Sequence, residues 1–179
     1  ELATCLALHY IAAFAARILI MTLAPEGKDL DAWLGRQQVV ESDLPCAELN
    51  KLAATLDHGD TTFSAGMQLP PLWHWLYFHR PALQSRLDRD GHAQRGDFLP
   101  PVQLPRRMWA GSRVEFVAPL HAAEPARQQS EISAITPKQG KSGPLVFVTV
   151  DHTISQRDRV CVLEQQDLVY RYSDTTSSQ

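Results

Sequence analysis

The stretch from Arg113 to Tyr170 constrains this chain most, because it holds four strand-like runs in close succession. Arg113–Leu120, Arg127–Thr136, Leu145–Ser155 and Val160–Tyr170 are rich in β-branched and aromatic residues. Apolar positions alternate at Val114, Phe116 and Ala118, and again at Val146, Val148 and Val150, the period of a strand with one buried face. The connections contain Pro125, then Pro137-Lys-Gln-Gly-Lys-Ser-Gly143, then Gln156-Arg-Asp-Arg159. They are short enough to join antiparallel neighbours, so the pattern predicts a four-stranded meander with helix upstream.

Upstream, the pattern from Asp29 to Gly59 is helical. Leu30, Trp33 and Leu34 recur at helical spacing, followed after Pro45 by Ala47, Leu49, Leu52, Ala53 and Leu56. Ser42-Asp43 and Pro45 mark a break and a second helix start. Pro70-Pro71 predicts another helix start, since proline suits a first turn whose N–H groups are unpaired anyway. Leu72, Trp75, Leu76 and His79 then fall on one side. Arg80–Gly96, with Asp88-Arg-Asp-Gly-His92 inside it, is polar and rich in turn residues, and reads as a long surface loop of the kind that often serves as a lid or binding loop. Pro100-Pro101 and Pro105 predict an extended strip. Trp109 and Gly111 follow, ahead of the predicted sheet, and the glycine permits a tight turn or a close backbone approach.

Composition excludes several classes. With 44% hydrophobic and 21% charged residues among 179, the chain suits one globular domain rather than a disordered segment. A formal charge of -3 and a pI near 6.2 give no overall attraction for nucleic acid. Cys5, Cys46 and Cys161 are odd in number and lack a C-x-x-C spacing, so neither a disulfide framework nor a metal site is expected, and a reducing cytoplasm is the simplest location. Residues 1–20 are apolar but interrupted by His9 and Arg17. They match neither a bilayer-crossing helix nor a signal peptide. An extension upstream of the natural start is expected there, with an amphipathic or anchoring helix as the alternative. One domain over 21–171 and a polar tail over 172–179 complete the expected organisation.

Three blocks carry a family resemblance: Leu69-Pro-Pro-Leu-Trp-His-Trp-Leu-Tyr-Phe78; Asp97-Phe-Leu-Pro-Pro-Val-Gln-Leu-Pro-Arg-Arg-Met-Trp-Ala-Gly-Ser-Arg113 running into Val114-Glu-Phe116; and Ser142-Gly-Pro-Leu-Val-Phe-Val-Thr-Val150. From about Leu30 to about Arg171 the chain resembles the N-terminal half of the MaoC-like, double-hot-dog hydroxyacyl-thioester dehydratases. The branch it resembles contains itaconyl-CoA and mesaconyl-CoA hydratases. The resemblance implies an α+β hot-dog fold, a curved antiparallel sheet wrapped around a helix, as one unit of a normally double hot dog. It also implies an activity that adds or removes water across the double bond of an acyl thioester. The substrate would be an acyl-CoA or acyl-carrier-protein thioester, with no cofactor beyond the coenzyme A that the substrate carries. The implied protein partner is a second hot-dog unit or an identical chain.

Site residues follow from the same resemblance. Ala53-Ala-Thr-Leu-Asp-His-Gly-Asp60 looks like a worn copy of the family motif in which a helix runs into Gly-Asp, Asn-Pro and a histidine. Leu56 stands where the glycine would be and no Asn-Pro follows, so Asp57 corresponds to the motif's aspartate and His58 is a candidate by proximity. The competing reading makes Asp57 and Asp60 solvated residues at a helix end. Trp73, Trp75 and Tyr77 suit the wall of an acyl or pantetheine channel, or core packing. Arg106 and Arg107 suit coenzyme phosphates through the guanidinium fork, or form an ordinary surface pair. Trp109 and Gly111 complete the substrate-binding set, and Lys138 and Lys141 read as solvated loop tips. The family's acid/histidine motif sits mainly in its C-terminal unit, and no second copy occurs in this sequence. The expected role is therefore the N-terminal, substrate-binding half of a hydro-lyase. The alternatives are a non-catalytic acyl-CoA-binding or dimerisation module and a truncated gene product.

Overall fold

The computed structural model of the chain describes residues 30–141 and 143–172. The apolar opening 1–20, with Cys5, and the tail beyond Tyr172 lie outside the described residues. Five strands, β1 (Gln37–Ser42), β2 (Arg106–Phe116), β3 (Ala126–Gly140), β4 (Gly143–Gln156) and β5 (Arg159–Arg171), form one antiparallel sheet in the order β1-β3-β4-β5-β2. The one α-helix among the described residues, α1 (Cys46–Thr55), buries Leu49 and Ala53 in the same cluster as Ile154 and Val162 of the sheet. This is the hot-dog arrangement.

The meander exists over β3, β4 and β5, with longer strands than the sequence pattern marks. Pro137 to Gly140 continues β3 rather than forming a connection, and Lys138 lies on that strand with its ammonium 4.7 Å from the Phe147 ring centre. Arg157-Asp158, both at left-handed φ (52° and 56°), closes β4 onto β5, the backbone twist that suits a two-residue hairpin.

Three sequence expectations need correction. First, β2 does not extend the meander. It pairs with β5 on the far side and begins at Arg106, so Trp109 and Gly111 lie inside a strand rather than before the sheet. Second, Gln37–Ser42, read as helical, is the edge strand beside β3. Its hydrogen-bond partners are remote in sequence, so no local window contains them, and the helical pattern before it is reduced to one 3-10 turn, Leu30–Trp33. Third, the helix expected after Pro70-Pro71 is one 3-10 turn, Trp73–Leu76, bounded by Leu72 and Phe78 at left-handed φ of 70° and 62°. Such φ values are costly for residues with bulky side chains, and they prevent Leu72, Trp75, Leu76 and His79 from sharing a helical face.

The inner face of the sheet carries two apolar clusters. One gathers Leu44, Leu49, Ala53, Phe63, Ile154 and Val162 beneath α1. The other gathers Ile132, Val146, Val148, Val150 and Tyr170 beneath the proline strip, from which Val102 and Leu104 point inward. Each fully buried Val, Leu or Ile stabilises by about 1.5–3 kcal/mol relative to an exposed one. Arg95 holds the strip in place: its guanidinium donates to the carbonyls of Val102, Leu104 and Pro105 at 2.8, 2.7 and 2.8 Å. On the other side, Asn50 of α1 exchanges two hydrogen bonds with the Phe63 backbone, which anchors the chain leading into the aromatic segment. Among the described residues, no helix is long and apolar enough to cross a membrane, and no group of three or more His, Cys, Asp or Glu is placed to hold a metal ion.

Candidate functional site

A row of polar side chains runs across the inner face between the two apolar clusters. Strand pairing places Gln38, Ser130, His152 and Glu164 side by side on β1, β3, β4 and β5. His152 sits where the alternation Val146, Val148, Val150, Ile154 calls for an apolar residue, and Glu164 follows Val162 in the same way. Ser130 is 1% exposed and Glu164 4%, so these groups are held in a water-poor setting where each polar atom needs a partner.

Most of those partners come from the row itself and from the aromatic segment. Ser130 Oγ lies 2.7 Å from His152 Nδ1. Trp75 Nε1 donates to Glu164 Oε2 at 2.9 Å, and the Nε2 of His74, itself 2% exposed, is 3.4 Å from the same oxygen. Glu164 Oε1 is buried without a hydrogen bond of ordinary geometry. Burial by itself would raise the pKa of Glu164, but hydrogen bonding from His74, Trp75 and Ser112, with the nearby His152, outweighs it and lowers the value to about 2. Burial pushes His152 below the ordinary histidine range, against the opposing pull of Glu164, Gln166 and Asp151. An anionic carboxylate thus stands beside an imidazole that is neutral at neutral pH.

Two cavities open onto this row. One, of about 390 Å³, is walled by His74, Trp75, Tyr77, Trp109, His152 and Glu164 among others. The second, of about 470 Å³, runs beneath the 79–99 loop and includes Arg80, His92, Phe98, Arg107, Ser130 and His152. Both are lined by Phe78, His79, Gln128, His152 and Gln166. The segment read as a long surface loop, of the lid or binding kind, therefore forms one wall of a cleft over the sheet.

A bulge decides which β2 side chains reach the cleft. The register with β5 shifts between Trp109 and Gly111, leaving Ala110 as the extra residue. Such a shift exchanges the two faces of a strand. Below the bulge, Arg107 and Trp109 pair with Tyr170 and Leu168 and join the inner face, while Arg106 pairs with Arg171 on the other. Trp109, 59% exposed, packs edge-on to Trp75 with ring centres 6.4 Å apart.

The residues singled out in the sequence distribute as follows. Trp75, Tyr77, Arg107 and Trp109 line the cavities. Tyr77 donates its hydroxyl to the Pro45 carbonyl at 2.9 Å, and burial, with Cys46 and Glu48 nearby, raises its pKa to about 12. Trp73 packs on Phe63 under α1. Arg107 is paired with Asp90 at 3.3 Å and Arg106 is exposed. Asp57 and His58 are exposed at the end of α1. Asp57, at φ 56°, occupies the left-handed position of a helix C-cap: its N–H bonds Ala54 O at 3.3 Å, and that of His58 bonds Ala53 O at 2.8 Å. Sequence reasoning missed His74, Ser130, His152 and Glu164. The readable signal was polar residues on the apolar beat of otherwise alternating strands.

Comparison with known proteins places these features in a family. The family described as hydroxyacyl-thioester dehydratase type 2 matches residues 72–179. Mesaconyl-C(4)-CoA hydratase of Chloroflexus aurantiacus is 50% identical over 143 residues, covering 80% of this chain and 51% of that protein. The chain thus spans about half the length of this curated relative. The crystal structure of the ChsH1-ChsH2 complex from Mycobacterium tuberculosis superposes with a TM-score of 0.57 at 10% identity, over 90% of this chain and 97% of that one, a likeness of fold alone.

Proposed function

The chain belongs to the hydroxyacyl-thioester dehydratase type 2 family, and from that premise we propose that it is the thioester-binding half of a hydro-lyase interconverting enoyl and 3-hydroxyacyl thioesters. The observation that carries this reading is the pair of adjoining cavities sharing Phe78, His79, Gln128, His152 and Gln166. Their volumes, about 470 and 390 Å³, lie in the range of small-molecule sites, and the extended course suits an acyl chain continued by a pantetheine arm. Trp75 and Trp109 supply flat apolar walls, and Tyr77 and Gly111 set their placement. Arg106, exposed at the start of β2, is the phosphate contact for the coenzyme. Residues 21–171 act as one hot-dog domain.

A second hot-dog unit is the partner, and β2 is the edge that meets it. Among the described residues this strand is unpaired on one side, and it exposes Met108, Trp109 and Phe116, a combination that invites another sheet or chain. The substrate supplies the only coenzyme needed.

The test is hydration of crotonyl-CoA and itaconyl-CoA, followed by loss of enoyl-thioester absorbance, with and without a separately produced C-terminal hot-dog unit. Turnover in either format is the expected result. Tight butyryl-CoA binding without turnover would make the chain a binding module, and absence of both binding and turnover would overturn the reading.

A further inference from the structure

We infer that Arg107 reads the far end of the acyl group: the thioester taken by this cleft carries a free carboxylate on its acyl chain, and the Arg107 guanidinium receives it. This rests on the hydro-lyase reading and adds to it a substrate class and a specificity-determining residue.

Three observations carry it. The first is placement. Arg107 joins the inner face because the register of β2 with β5 shifts between Trp109 and Gly111, and a bulge of this kind re-aims side chains. It sets Arg107 on the wall of the cavity of about 470 Å³ beneath the 79–99 loop. The second is charge. Arg80, Arg107 and Asp97 are the lining residues of fixed charge, and Arg80 lies 3.4 Å from Asp97, so the cavity is left one positive charge in excess. The counterion of Arg107 comes from the loop: Asp90 meets Nη2 alone, at 3.3 Å, long for a bond between charged groups. The Tyr170 hydroxyl, opposite on β5, meets Arg107 as well. A guanidinium has five N–H donors in a planar fork that matches a carboxylate bidentately, and the one-point contact with Asp90 does not use that fork.

The third is the setting. Phe98, Leu99, Val150 and Leu168 line the same cavity, and only 9% of the Arg107 side chain is exposed. An apolar side chain would serve packing at least as well there, because taking a cation out of water costs more than one long contact returns. Apolar walls around a cation suit a short carbon chain that ends in an anion. A thioester entering past Trp75 and Trp109 passes along the residues shared by the two cavities, and its acyl end then lies under the loop beside Arg107. The coenzyme phosphates are the other source of an anion. They are bulky and strongly hydrated, and the exposed Arg106 at the start of the same strand suits them better.

The experiment is titration calorimetry with succinyl-CoA and butyryl-CoA, whose four-carbon acyl groups differ in a carboxylate against a methyl, on wild type, Arg107→Gln and Asp90→Asn, with the C-terminal unit present and circular dichroism to check folding. Wild type should bind succinyl-CoA at least ~10-fold more tightly than butyryl-CoA, the scale of a hydrogen bond to a charged group. Arg107→Gln should abolish that preference by weakening succinyl-CoA, with butyryl-CoA within a few-fold of wild type. Asp90→Asn removes a competing negative charge and should tighten succinyl-CoA several-fold while butyryl-CoA is unchanged. The wild-type preference is read without any variant, so an Arg107→Gln that fails to fold leaves the test in force. Equal wild-type affinities, or a folded Arg107→Gln that keeps the preference, would overturn the carboxylate receptor, and turnover in the hydration assay would leave the hydro-lyase reading standing. Equal losses of both ligands in Arg107→Gln would give Arg107 to the coenzyme phosphates and also overturn it. A wild type that binds neither ligand and shows no turnover would overturn both.

Discussion

Trp75 donates its indole N–H to the Glu164 carboxylate at 2.9 Å, tying the aromatic turn to β5. The other face of the bargain is geometric: the ring of Trp75 is thereby held against Trp109, 6.4 Å away. Trp75→Phe keeps the apolar surface and removes the donor. It should cost about 1–3 kcal/mol in urea unfolding, the scale of a buried carboxylate losing a partner, and weaken butyryl-CoA binding measured by fluorescence.

Acid should destabilise this domain through the same row. The folded pKa of Glu164 is lowered to about 2 from 4.5, so the folded state binds fewer protons than the unfolded one between these values. The stability linked to it, ~3 kcal/mol at most by linkage, is present above 4.5 and lost as pH falls toward 2. His152, lowered from 6.5 mainly by burial, acts in the same direction: its contribution is present above 6.5 and declines below it. Urea midpoints measured from pH 7 to pH 3 should fall for wild type, and Glu164→Gln should be weaker at neutral pH with a shallower acid decline.

The two neighbouring arginines should behave differently. Arg106→Ala removes an exposed cation and should weaken coenzyme A binding several-fold, with a smaller salt dependence and unchanged stability. Arg107 is nearly buried and bonded to Asp90, so Arg107→Ala should lower the melting temperature. Titration calorimetry at two salt concentrations separates them, and equal affinity losses at equal stability would contradict the assignment.

Asp57 closes α1 with a left-handed backbone at φ 56°, where glycine pays no steric penalty. Asp57→Gly should leave complemented hydratase activity intact and raise stability by about 0.5–1 kcal/mol in thermal or urea unfolding. A large fall in kcat at constant substrate affinity would show that the carboxylate takes part in the chemistry.

Local pattern carried much of the architecture. Alternation marked β4, strand-like composition marked β3 and β5, and Leu49 and Ala53, one turn apart, marked the buried side of α1. The aromatic block and the proline strip were also visible, and three of their side chains, Trp75, Tyr77 and Trp109, do line a cavity. Gly111 was visible as a special position, but its effect was not. Only the pairing with β5 sets it beside the bulge at Ala110 that turns Trp109 and Arg107 inward and leaves Arg106 outside.

The sequence by itself determined that the segments after Arg127 are strands with one apolar face, because a period of two is written in consecutive residues. Tertiary structure alone decided which strands became neighbours, and so which polar residues met. Ser130, His152 and Glu164 are separated by long stretches of chain and share one row only because antiparallel pairing sets them opposite one another. The same is true of His74 and Trp75, whose link to Glu164 depends on left-handed turns at Leu72 and Phe78 that no propensity favours. Register and backbone strain are non-local outcomes of packing the whole sheet, and the site is made by them.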